Sequence, residues 1–283
     1  MEMDFIADIL RYNYLSNAVI ACVLSGITCG IIGTYIVARR MVFLCGGITH
    51  ASFGGLGIAF YAGLNPILGA TVFAVLSALG IEWSNSRSKI RPDSAIGMVW
   101  GIGMAIGALF ISLRPGYTSG DMANFLFGSI ITVTQSDIIA LAILSVVLIL
   151  GAILWHRPIM FAAFDRNFAE ASGVPVKITN YIMAVITAMT IVLSIRTMGI
   201  VLLISLLTMP VVTANILFKD YRKIAPTAIV IGTIAGIAGI TLSYHAEVPS
   251  GPAIIFILTL AFLTIKLLSL WVKHTKQRER TTA

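Results

Sequence analysis

Apolar runs of about 20 residues recur along almost the whole chain, and nothing else in it limits the fold as strongly. A run of that length crosses a ~30 Å hydrocarbon core as an α-helix. Helix is the answer because lipid offers no partners for the backbone, so every N–H and C=O must pair within the segment. Such runs lie near residues 15–38, 41–63, 66–83, 95–113, 138–156, 179–196, 199–218, 225–244 and 251–272. Composition agrees: 58% of residues are hydrophobic and 11% charged, against about 45–50% and about 25% in soluble domains. A transmembrane β-barrel would instead show alternating segments of about ten residues. The chain therefore reads as all-α, a polytopic integral membrane protein with about eight to nine transmembrane helices. No Gly/Ser-rich linker or change of composition divides it, so residues 1–283 form one membrane domain. Pro66, Pro226 and Pro252 stand at span starts, where a missing N–H costs little.

Charge placement orients the spans. Strict alternation of nine crossings collects Arg39, Arg40, Arg87, Lys89, Arg91, Arg157, Arg166, Lys177, Lys219, Arg222 and Lys223 on one side. The basic tail, residues 273–283, adds Lys273, Lys276, Arg278 and Arg280, and Lys266 snorkels the same way. The opposite side holds only Arg11, Arg114 and Arg196. By the positive-inside rule the N-terminus is outside and the C-terminus cytoplasmic. An even count follows if a short segment within 179–218 does not fully cross. The net charge of +7 is thus an orientation signal rather than a nucleic-acid patch. The opening MEMDFIADIL lacks the basic start of a cleaved signal peptide, so the first apolar helix is expected to stay.

Two connections stand out. Residues 114–137 are external in this arrangement and contain a half-apolar piece, 125–133, too short to span. The cytoplasmic stretch 158–178 is amphipathic and ends at Gly173 and Pro175, which suits either docking onto a partner or lying on the membrane surface.

His50 is the chemical anomaly. It sits inside the apolar run with Gly46, Gly47, Gly54, Gly55 and Gly57 around it. An ionisable ring there is costly and marks a functional position, and imidazole is a ligand for borderline transition metals. Cys22, Cys29 and Cys45 also lie in apolar segments without a CxxC pairing, and read mainly as small packing residues. Thr208-Met209-Pro210 interrupts a span, as a kink or as the lining of a substrate path. His156 and His274 fall at cytoplasmic helix ends. His245 and Glu247 lie in the external turn YHAEVPSGP and form either an exposed turn or a cation-attracting entrance, to which Asp121 and Asp137 would add. Stripes such as Gly97, Gly101, Gly103 and Gly107 suit close helix packing. No GxxxxGK[ST] loop, HExxH helix or GxSxG elbow is present, so the chain carries no ATPase or hydrolase motif of these kinds.

Four blocks resemble the membrane permease subunits of bacterial ABC importers for zinc, manganese and iron, the ABC-3 metal permeases. They are RRMVFLCGGITHASFGGLGIAF at 39–60, FDRNFAEASGV at 164–174, MGIVLLISLLTMPVVTAN at 198–215 and LSYHAEVPSGPAII at 242–255. Their order and spacing match over nearly the whole chain. The resemblance implies a non-enzymatic permease in the bacterial inner (cell) membrane that acts as a homodimer and passes a divalent metal ion, with no permanently bound cofactor. A separate ATPase subunit would use the ATP and dock on the coupling segment, where Asp165, Ala169 and Gly173 match. An extracytoplasmic metal-binding protein would deliver the ion.

The chain departs from that pattern at one position. The family core often places Asp one helical turn before the histidine, and Gly46 stands there. The metal contact then rests on His50, with backbone carbonyls around Gly46 and Gly47, the Cys45 sulfur, or a second His50 from a dimer partner as its complement. A stand-alone ion-coupled secondary transporter is the alternative function, and it needs deep carboxylates, whereas the sequence places its Asp and Glu residues at span ends or in loops. A membrane metalloenzyme needs several converging ligands, and His50 is the one deep candidate.

Overall fold

The computed structural model describes residues 8, 9, 11–87, 90–113, 130 and 133–282. Among them ten helices are found and no strand: α1 (Asn13–Ala38), α2 (Val42–Tyr61), α3 (Pro66–Arg87), α4 (Pro92–Ser112), α5 (Gln135–Leu154), α6 (His156–Phe164), α7 (Arg166–Ala171), α8 (Val176–Leu217), α9 (Tyr221–Ala246) and α10 (Ser250–Thr282). Eight of these are long and apolar enough to cross a membrane.

Local chemistry sets the helix ends. Pro92 opens α4 with Asp93 in its first turn, a ring that needs no N–H there and a charge that suits the helix dipole. A reciprocal capping box joins Thr134 and Asp137 at the start of α5. Asp220 caps α9 by accepting from the Arg222 backbone N–H at 3.0 Å.

α1 and α2 are the most enclosed spans. α2 packs on α3 and α4, while α1 packs on α9, α8 and α5. The α2–α4 seam is backbone against backbone. A Cβ added to Gly54 would lie 2.8 Å from the Gly103 carbonyl oxygen, and one on Gly57 would lie 2.6 Å from that of Gly107. Small residues let membrane helices approach this closely, where dispersion replaces the missing hydrophobic drive.

The 42-residue α8 is two limbs joined at Gly199, whose φ of 76° and ψ of 171° are not helical. Its neighbours show that the chain turns back there. Ser194 lies beside Cys29, and the Leu207 carbonyl lies against Gly33. An unbroken helix would separate residues 194 and 207 by about 20 Å, whereas residues 29 and 33 are one turn, about 6 Å, apart. Met183 and Ile186 adjoin Thr34 and Tyr35, and Val211 and Ala214 pack near Val37. The first limb therefore runs against α1 and the second along it. The two limbs correspond to the two runs read at 179–196 and 199–218.

Three expectations need correction. The interruption expected within 199–218 at Thr208-Met209-Pro210 does not break the helix, whose backbone stays helical through the proline; the non-helical residue of α8 is Gly199, between the two runs read at 179–196 and 199–218. The amphipathic stretch 158–178 is two short helices, α6 and α7, with Asp165 between them. Asp137 is no free charge at an external mouth: it pairs with Arg196 at 3.0 Å and caps α5. The 125–133 piece, apart from Ile130 and Val133, lies outside the described residues, as do Arg114 and Asp121.

Candidate metal path around His50

His50 projects from the middle of α2, half-buried. Its ring stacks on Trp100 of α4, with centroids 4.3 Å apart and planes 9° from parallel. Nδ1 is buried and has no hydrogen-bond partner. An unpartnered imidazole nitrogen in an apolar span is costly, which marks the position as a candidate cation contact. Among the described residues no group of three or more His, Cys, Asp or Glu side chains forms a metal cage.

The glycines before His50 serve α4. A Cβ on Gly46 would lie 3.3 Å from Cζ3 of Trp100, and one on Gly47 only 2.4 Å from Cγ2 of Ile96. α2 is continuous helix here, so the carbonyls of Gly46 and Gly47 stay within the helix rather than being exposed by a relaxed backbone. Cys45 is fully buried in the core. Five residues from His50, it points about 140° away around the helix, and the structure does not bring it to the imidazole. Pro210 is buried in the second limb of α8, facing Gly232 of α9. It is not at His50 either.

His245 and Glu247 occupy the exposed end of α9. Nδ1 of His245 lies 2.9 Å from the Thr241 carbonyl, and Glu247 takes the left-handed conformation that ends the helix, φ 53°. His156 opens α6 and His274 is exposed on α10.

The docking segment is built locally. Asp165 caps α7, its carboxylate accepting from the Phe168 N–H at 3.0 Å. Ala169 is fully buried against Ala162 and Val176. Gly173 has φ 77°, the left-handed position that closes a helix and that glycine adopts without a Cβ penalty. Phe164 and Phe168 remain exposed, which leaves an aromatic surface on these two short helices.

Sequence reasoning missed several polar groups. Trp100 joins His50 across 50 residues, a relation no local pattern carries. Glu82 is 5% exposed and pairs with Arg39 at 3.2 Å, while Arg39 also donates to the Tyr35 hydroxyl at 2.8 Å. Burial alone would lower the Arg39 pKa, but Tyr35 and Glu82 outweigh it and raise it above the ordinary value. Asn180 Oδ1 and Thr187 Oγ1 are buried without hydrogen-bond partners on one face of α8. Their seven-residue spacing was visible in the sequence.

This fold has clear relatives. Residues 11–269 match the ABC 3 transport family, and the chain belongs to it. An uncharacterized membrane protein of Synechocystis is 35% identical over 254 residues, 90% of each chain. The manganese transport system membrane protein MntC of Listeria monocytogenes is 32% identical over 260 residues, 92% of each chain. Among solved structures, PsaBC from Streptococcus pneumoniae in complex with Fab matches with a TM-score of 0.81 at 27% identity, covering 94% of this chain and 95% of that one.

Proposed function

We propose that this chain is the permease subunit of a bacterial ABC importer for a divalent transition metal, with manganese the leading cargo and zinc or iron the others. The near full-length match to a transport family whose relatives include a manganese system protein carries this reading. A separate ATPase subunit docks on α6 and α7, where the exposed Phe164 and Phe168 offer an anchor. An extracytoplasmic binding protein supplies the ion on the face opposite the basic residues, so the N-terminus is outside and the C-terminus in the cytoplasm of a cell-membrane protein.

Two copies flank the path. The exposed small residues Gly97, Gly101, Ala105 and Ala108 of α4 support close contact there with a second chain. That contact would bring a second His50 toward the first. ATP-driven movement of α6 and α7 passes through α8 to the spans around His50, exposing the path to each side in turn. His50 contacts the ion weakly enough for release, as conduction requires.

The test is manganese uptake by cells expressing this chain with its ATPase and binding protein. His50→Ala should cut uptake to background while the variant still assembles with the ATPase. Full uptake would remove the histidine from the path. Transport by the purified chain alone, driven by an ion gradient, would favour the secondary transporter.

A further inference from the structure

α5 and α9 both pack on α1, and among the described residues they do not pack extensively on one another. Between them runs a groove of about 660 Å³, within the roughly 300–1,000 Å³ range of small-molecule sites. Ile31 of α1, Ile153 of α5, and Ala225 and Ile229 of α9 make its length apolar. Ile153 and Leu154 are about 70% exposed, so this wall faces the bilayer.

The chemistry changes at one end. Arg157 and His156 lie at the start of α6, and Arg222 and Tyr221 at the start of α9; all four line the mouth. Arg157 and Arg222 are exposed, and among the described residues neither forms an ion pair. Asp220 is the nearby acid, and its carboxylate already caps α9. The N-termini of α6 and α9 add two positive dipole ends. Trp155, 60% exposed, stands beside the mouth, and exposed tryptophan marks the headgroup level of a membrane.

We propose that this groove is the seat of one anionic phospholipid from the leaflet on the basic side. An acyl chain lies along Ile31, Ile153 and Ile229, and the headgroup phosphate lies between Arg157 and Arg222. Charge selects the lipid: each arginine near the surface favours an anionic headgroup by about fivefold, so the pair selects by about thirtyfold. The bound lipid would tie α5 and α6 to α9 beside the docking segment. This site is independent of the metal path, and its test does not require transport.

The experiment is native mass spectrometry of the full-length chain from micelles doped equally with phosphatidylglycerol and phosphatidylcholine of matched acyl chains. Wild type should retain one phosphatidylglycerol preferentially. The R157Q/R222Q variant should lose that preference by about thirtyfold, while K266Q, on α10 away from the groove, should keep it. Ala225→Trp, which fills the apolar slot and leaves both arginines, should also lose the lipid. Equal retention of the two lipids by wild type, wild-type selectivity in R157Q/R222Q, or undiminished binding in A225W would each overturn the proposal.

Discussion

Gly199 is the position at which one substitution should do most damage for its size. Its φ of 76° with ψ of 171° lies in a region that residues with a Cβ almost never enter. Holding alanine there costs of the order of 1–3 kcal/mol. Alanine also favours an unbroken helix by about 1 kcal/mol over glycine, which pulls the two limbs of α8 toward a straight rod that the packing on α1 forbids. At about 2–4 °C for each kcal/mol, Gly199→Ala should lower the Tm of the detergent-purified protein by roughly 2–12 °C. Gly80→Ala is the matched control. Gly80 lies within helical α3, and a Cβ there would meet nothing within 4 Å, so that variant should be neutral or slightly more stable. The assay is thermal unfolding followed by tryptophan fluorescence, with both variants in the same detergent. A Gly199→Ala protein as stable as Gly80→Ala would refute the assignment of a strained reversal at that residue.

The reversal also makes a distance prediction. Spin labels at Ile178→Cys and Leu217→Cys, both exposed sites, should lie within about 30 Å in a chain free of its native cysteines, since two packed helix diameters span roughly 20 Å. A straight α8 would put them about 60 Å apart. Glu82→Gln should destabilise the fold by about 3–5 kcal/mol because it leaves the Arg39 charge buried without its counterion, and unfolding midpoints in denaturing detergent mixtures would show it. An unchanged midpoint would mean the pair is solvated. Asp165→Ala removes the α7 cap at a cost of about 1 kcal/mol and should weaken ATPase co-purification while lowering the Tm of the permease by only about 2–4 °C; undiminished ATPase recovery would argue against a coupling role for this cap.

Most span boundaries were legible because the helix-forming constraint in lipid is so strict. Even the two limbs on either side of Gly199 appeared as separate apolar runs. The residue that makes the turn was not legible, since a positive φ at one glycine among 25 leaves no local mark, while the visible helix breaker, Pro210, drew attention within the second run. Within the site, helical phase alone separates Cys45 from His50, and that much could have been read from their spacing. The partnership of His50 with Trp100 could not, because it depends on how α2 and α4 are rotated against one another. Glu82 was read as an ordinary span end. Its burial follows from Arg39 and Tyr35 reaching it from α1 and its C-terminal turn, a tertiary meeting of residues 43 positions apart.

The stacking of Trp100 over His50 and against Gly46 makes positions 46 and 100 share one fixed volume. A Cβ introduced by Gly46→Asp would lie 3.3 Å from the indole, so Trp100 must give by a few tenths of an ångström to admit it. Restoring an acid to this span therefore also moves the ring that stacks on the imidazole. Gly46→Ala, which adds the same Cβ without the charge, is the control that separates the steric effect from the electrostatic one.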